Sequence, residues 1–310
     1  MKKSPILFIV FNRPELTRRV FEMIRIARPD ILYISCDAPR RAKGQVEYEK
    51  VEEVKKIIHL IDWPCTVQYK IAKENLGCGK SVSEAIEWAF THEDRLIILE
   101  DDCVPHADFF TYCDELLERY KDDQRIGCID GTSLLTSINP TKLDSYEYSY
   151  YFSRIHCVWG WATWKRVWQN YSFDLADWPK IKKQRLLEHY WSTQRNYEHT
   201  VAHLEMILDG RVDSWDFQLV ASLALQNQLI IHPKQNLVEN IGAGRDAHHN
   251  KIVTKLNNIK THQLEWPLTH PPYVANHSYF DYLIEKSYTQ HKVFIKIKSL
   301  LFPLVKKILS

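Results

Sequence analysis

The segment Leu99-Glu100-Asp101-Asp102 sets three consecutive carboxylates directly after the aliphatic run Leu96 to Leu99. On extended backbone successive side chains point to opposite sides, so Glu100 and Asp102 share a side, about 6.6 Å apart along the strand. At an effective dielectric near 20, two carboxylates about 5 Å apart repel by roughly 3 kcal/mol. A divalent cation turns that repulsion into binding, and hard oxygen ligands suit Mg²⁺ or Mn²⁺. A solvated acidic turn is the plain alternative, but the abrupt step from buried aliphatics to acid favours the ion.

Other residues with chemical potential are spread along the chain. Asn75-Leu76-Gly77-Cys78-Gly79-Lys80-Ser81 ends like a phosphate-binding P-loop, yet that pattern needs a glycine where Glu74 stands. Its glycines still permit close backbone approach to a phosphate, with Lys80 opening a helix, and a structural turn is an equal alternative. Arg13 and Asp37 suit phosphate or base contacts if they lie at strand ends. His199 and His203 are four apart without the glutamate of a His-Glu-x-x-His site, and read as packing or surface residues. His248 and His249 follow two glycines and Asp246; a further metal ligand, a phosphate contact or an ordinary polar loop all suit them.

Parallel-sheet geometry would bring the early residues together. The apolar run Ile6 to Phe11 reads as a strand buried on both faces, and Pro14 opens a helical pattern with Leu16, Val20, Met23, Ile24 and Ala27 on one face. Strands are expected at 31–35, 66–71 and 96–99, with helices near 51–61 and 82–89 between them. This β-α-β-α-β-α-β alternation predicts a parallel sheet covered by helices, with ligands beyond the carboxyl ends of its strands. Asn12, Arg13, Asp37, the 75–80 turn and Glu100 to Asp102 all fall at such ends. Beyond them, Asp108 is expected to cap a helix, 125–130 to form a strand, 146–154 to be extended, and 181–209 and 215–227 to be helical. The aromatic block Trp159-Gly160-Trp161 offers rings to a sugar or acceptor pocket, although core packing suits at least one of them.

The chain has 310 residues, 45% of them hydrophobic, which suffices for one large domain or two fused lobes. A net charge of +2 gives no field for bulk nucleic-acid binding. Seven cysteines without a Cys-x-x-Cys pair predict neither a zinc site nor a disulfide framework, and reduced thiols in a cytoplasm fit best. The first apolar run stops at Asn12, too early for a secretory leader, and no stretch approaches the roughly 20 apolar residues of a spanning helix. Near the end, Val293, Phe294, Ile297, Leu300, Leu301, Leu304 and Ile308 oppose Lys292, Lys296, Lys298, Lys306 and Lys307. A basic amphipathic helix of this kind either lies on a membrane surface or docks on the protein's own core.

Together these segments resemble the GT-A glycosyltransferases, and within them N-acetylglucosaminyltransferase I and its bacterial relatives. The matching stretches are Pro5 to Pro14, Leu99 to Phe110, the Trp159-Gly160-Trp161 block and Trp215-Asp216, within residues 4 to 245. The resemblance implies an α/β GT-A fold: a nucleotide-sugar-binding part over 1–105, an acceptor-binding and catalytic part over 106–250, and an extension over 251–310. It further implies a UDP-sugar donor, an Mn²⁺-type ion, inversion at the anomeric carbon and a glycan or lipid-linked saccharide acceptor. Glu100 would touch the ribose, Asp102 would bind the metal, and Arg13 and Asp37 would hold the uracil end; from their own placement in the sequence, Asn12 would join the nucleotide end and His249 would be a further metal ligand. Lys80, Asp101 and Trp161 would also face the donor, and Asp216 would be the general base. The family has two acids after the tryptophan, whereas here Phe217 and Gln218 follow Asp216, leaving Asp213 and Glu239 as other options for the base. Two rivals remain. A sugar-phosphate nucleotidyltransferase would carry a glycine-rich basic loop where Phe11-Asn12-Arg13-Pro14 stands, and a non-catalytic carbohydrate-binding protein would not need intact acids at the strand end.

Overall fold

A computed structural model describes residues 2–243, 256 and 258–287. Aliphatic runs form the expected strands β1 (Ile6–Val10), β2 (Ile31–Cys36), β3 (Thr66–Ile71) and β4 (Arg95–Glu100). Helices α1 (Pro14–Ala27), α2 (Gly44–Ile58) and α3 (Cys78–Phe90) alternate with them. Each helix buries one stripe: Val20, Phe21 and Ile24 from α1, Val51, Val54 and Ile58 from α2, Val82, Ile86 and Ala89 from α3. β5 (Cys103–Pro105), α4 (Ala107–Arg119) and β6 (Ile126–Asp130) follow. Asp108 does not cap α4. His106 does, its ring accepting from the Asp108 amide at 3.2 Å, while the Asp108 carboxylate accepts from Leu264 N at 2.8 Å.

The second half adds α5 (Leu135–Ile138), α6 (Pro140–Asp144), β7 (Tyr150–Ser153), β8 (Trp161–Trp164), α7 (Lys165–Trp168) and α8 (Trp178–Lys183). It continues with α9 (Gln194–Leu208), α10 (Asp216–Leu225), β9 (Leu229–Pro233) and β10 (Val238–Asn240). One eight-stranded sheet, in the order β3-β2-β1-β4-β8-β6-β9-β7, joins both halves. β1 to β4 are mutually parallel where they pair, β8 is antiparallel to β4 and β6, and β10 pairs with β5. The architecture is the Rossmann-like α/β arrangement of the GT-A kind expected from the sequence. Across the register, Val10 lies beside Cys36 and Ile9 beside Glu100. The residues that follow β1, β2 and β4 therefore emerge along one edge of the sheet.

The 278–287 helix is fixed to the second half through two buried carboxylates four residues apart. Asp281 accepts from Ser153 Oγ at 2.6 Å and Glu285 from Thr193 Oγ1 at 2.6 Å. None of the seven cysteines is paired. Among the described residues no helix is long and apolar enough to cross a membrane. The basic amphipathic pattern of 292–308 lies outside the described residues.

Candidate active site

Arg13, just past β1, meets the acidic segment at the end of β4. Its guanidinium donates to Asp102 Oδ2 at 2.8 Å and also pairs with Asp101. Asp101 is almost wholly buried and takes the Phe11 amide on its other oxygen. Burial works against charge on Arg13, but the two carboxylates outweigh it and hold its pKa above the ordinary value. Were all three carboxylates ionised, they would leave a charge of −2 (three minus one) against the one guanidinium in this recess. The excess shows at Glu100, where burial and the Asp102 carboxylate push the pKa up to about 8.

That charge excess and donor set fit a divalent cation held in an open site. Among the described residues no group of three His, Cys, Asp or Glu side chains is arranged to hold a metal ion, so the protein would contribute at most two carboxylates. Asp102 and Glu100 would supply protein oxygens, and ligand oxygens and water the rest. Gly242 lies directly over this recess: a Cβ there would overlap Asp102 Oδ2.

The raised Glu100 pKa has a consequence for stability. Between its ordinary 4.5 and about 8 the folded chain retains a proton that the unfolded chain has released. Stability without divalent ions should therefore fall as pH rises through that window. Melting curves from pH 5 to 8 should show the decline, Glu100→Gln should flatten it, and Mn²⁺ should offset it in the wild type. An identical slope in Glu100→Gln would remove Glu100 as its source.

Asp37, just past β2, lines the cleft and is also bound by the protein. Oδ1 accepts from Ala38 N at 2.8 Å and Leu76 N at 3.0 Å, and Oδ2 accepts from Asn75 Nδ2 at 2.9 Å. It thereby anchors the turn before α3. Asn12 donates to Glu47 Oε1 at 2.8 Å, and Glu47 also accepts from the Arg40 amide at 2.9 Å. The Arg40 guanidinium lies 5.4 Å from the centre of the Phe11 ring. The strand-end residues thus form a braced wall of charged and aromatic groups.

The facing wall begins at α10. Asp216 is its first residue, and Asp216 Oδ1 takes both the Ser214 hydroxyl and the Phe217 amide. Asp216 is also among the charges that raise Glu100, so the two walls meet electrostatically. Trp215 behind it is buried and stacks on Trp161, centroids 5.7 Å apart. Between the walls runs a cleft of about 640 Å³, onto which Arg13, Glu100, Asp102, Asp216, Trp159 and His203 open.

Several sequence expectations land elsewhere. Trp161 is wholly buried and packs in the core, so it cannot touch a ligand; Trp159 is the ring that lines the cleft. Lys80 points outward, half-exposed, 3.7 Å from Glu84 one turn on. His249 lies outside the described residues. His203, read as packing or surface, lines the cleft and stacks on Phe217 at 4.5 Å. Sequence reasoning passed over Arg40 and Gly242 as site residues; the place of Gly242 in the loop that carries His248 and His249 was its only signal. The 75–81 turn donates instead to a protein carboxylate, that of Asp213, from Cys78 N (2.7 Å) and Gly79 N (2.8 Å).

No protein-family profile matches this chain, and no curated protein matches it by sequence. Among solved structures, UDP-glucose pyrophosphorylase complexed with UDP-glucose aligns at 8% identity and a TM-score of 0.36, over 74% of this chain and 90% of that one. Mouse xyloside xylosyltransferase 1, in its apo form, aligns at 10% identity and a TM-score of 0.33, over 72% and 83%. These likenesses concern the fold alone.

Proposed function

We propose that the chain is a metal-dependent, inverting glycosyltransferase. It takes a sugar from a nucleotide-sugar donor, uridine-linked in the reading from sequence, and passes it to a saccharide or lipid-linked saccharide hydroxyl. One observation carries this reading: a cleft whose strand-end wall concentrates Glu100, Asp101, Asp102 and Arg13 faces a separate carboxylate, Asp216, on the other side. A transferase of this type needs charge compensation at the diphosphate and a base at the incoming hydroxyl, kept apart from each other.

The nucleoside end would lie along the edge formed by Phe11, Asn12 and Arg40. Arg13 would offer its guanidinium to the diphosphate, and Asp102 and Glu100 would hold the divalent ion. When bound, that ion supplies positive charge to the departing diphosphate. Asp216 Oδ2 would take the proton of the acceptor hydroxyl as its oxygen attacks the anomeric carbon. The bond from that carbon to the diphosphate oxygen breaks, and its electron pair leaves with the phosphate. Ser214 and the Phe217 amide hold Asp216 Oδ1, so the base is fixed before substrate arrives. Trp159, His203 and Phe217 line the space a pyranose would fill.

A panel of UDP-, GDP-, ADP- and dTDP-sugars, each with and without Mn²⁺, tests the reading by thermal shift. A ligand at about 100 times its Kd adds ~2.7 kcal/mol, a rise of several degrees. We expect that rise for one nucleotide class and only with the ion. No rise from any member of the panel would contradict the proposal and favour a non-catalytic carbohydrate-binding protein.

A further inference from the structure

Asp213 belongs to the segment that leads into α10, yet both its carboxylate oxygens bind the donor half of the molecule. Oδ2 accepts from Cys78 N at 2.7 Å and Oδ1 from Gly79 N at 2.8 Å, across 135 and 134 residues of sequence. These are consecutive amides at the start of α3, a helix with no side-chain cap of its own: its cap position is Gly77, at φ +84°. A carboxylate there meets both unpaired amides and the positive end of the helix. The glycines make room for it. A Cβ on Gly79 would sit 2.7 Å from Ser214 O and 2.8 Å from Asp213 Oδ1. From the other side Asp37 grips Asn75 and Leu76, so the turn is held between a carboxylate just past β2 and one of the opposite wall.

Everything between Asp213 and Asp216 is pinned as well. Gln218 Nε2 donates to Ser214 O at 3.0 Å, Ser214 Oγ donates to Asp216, and Tyr171 Oη donates to Trp215 O at 3.2 Å. We propose that Asp213 is a positioning residue: it latches the Ser214–Asp216 turn onto the N-terminus of α3 and so sets Asp216 against the strand-end wall. This inference rests on the role given to Asp216 above. It explains a glycine-rich turn that resembles a phosphate loop yet grips a side chain of its own protein.

The test uses the full chain and three lesions: Asp213→Ala, Asp213→Asn, and Gly79→Ala, which disturbs the socket and leaves the carboxylate in place. The activity arm follows UDP released from UDP-glucose and UDP-N-acetylglucosamine with water as acceptor, below each variant's melting temperature. In Asp213→Ala, kcat should fall at least about tenfold while the donor KM moves less than about twofold, since a displaced base costs turnover rather than donor binding. Asp213→Asn should fall between, because one amide oxygen replaces two carboxylate oxygens. Added to Asp216→Asn, Asp213→Ala should cost nothing more, the non-additivity of groups that act as one unit. An unchanged kcat, or the same fold loss in the Asp216→Asn background, would overturn the proposal.

A second arm does not depend on catalysis. Hydrogen exchange at the 214–217 amides should rise about tenfold or more in both Asp213→Ala and Gly79→Ala. Unchanged exchange would overturn the latch whatever the enzyme does. Raised exchange with an Asp216→Asn variant as active as wild type would sustain the latch and discard the reading of Asp216 as base.

Discussion

Asp216→Asn should keep the fold and the donor site but lose roughly 10²- to 10⁴-fold in turnover, the usual contribution of a positioned general base. Asparagine retains an oxygen for the Ser214 hydroxyl and the Phe217 amide, the two groups that Asp216 Oδ1 serves. Asp216 is the first residue of α10, and losing its charge there costs about 0.3–1 kcal/mol, so the melting temperature should fall by no more than a few degrees. What asparagine cannot do is accept a proton. The other acids considered for this role are already engaged: Asp213 with the Cys78 and Gly79 amides, and Glu239 with Lys260 at 2.6 Å. Turnover near the wild-type rate in Asp216→Asn would place the base elsewhere.

Asp102→Ala should be as damaging for a different reason. The substitution removes one of the two carboxylates proposed to hold the ion, and leaves Arg13 paired with Asp101 alone. Transfer should fall at least about 10³-fold, the upper scale for losing a group that stabilises developing charge. The fold should not suffer. Asp102 is one of the charges that raise Glu100, so its removal eases repulsion, and the Ile241 amide binds the Asp102 main-chain oxygen, which the variant keeps. EDTA should silence the wild type, and Mn²⁺ or Mg²⁺ should restore it. Full activity of the variant, or of the wild type in excess chelator, would remove the metal from the account.

How much of this could be read beforehand depended on where each residue's partners lie in sequence. β1 to β4 are short runs of aliphatics between amphipathic helices, and local pattern alone locates them. The rule that ligands gather beyond the carboxyl ends of parallel strands then drew Arg13, Asp37 and Glu100 to Asp102 together. β8 escaped notice because Trp161 to Trp164 is only four residues long and buried throughout, which leaves no alternation to detect. The same block hid which tryptophan faces the cleft. Residues 159 and 161 would share a side on regular extended backbone, but Gly160 adopts a left-handed φ of +68° and breaks the alternation. The glycine turn before α3 is ambiguous in sequence. A carboxylate from the protein and a phosphate from a ligand ask the same thing of it, and the carboxylate that takes the place lies more than 130 residues on.

The central claim, ion-assisted binding of a nucleotide sugar in the cleft between Asp102 and Asp216, is tested most directly by titration calorimetry. UDP-glucose and UDP-N-acetylglucosamine would be titrated into the wild type with Mn²⁺, into the wild type with EDTA, and into Asp102→Ala with Mn²⁺. The account predicts saturable binding of at least one donor in the first case, with affinity at least tenfold weaker in the other two. Equal affinity in all three, or no binding of either donor with Mn²⁺ present, would contradict it.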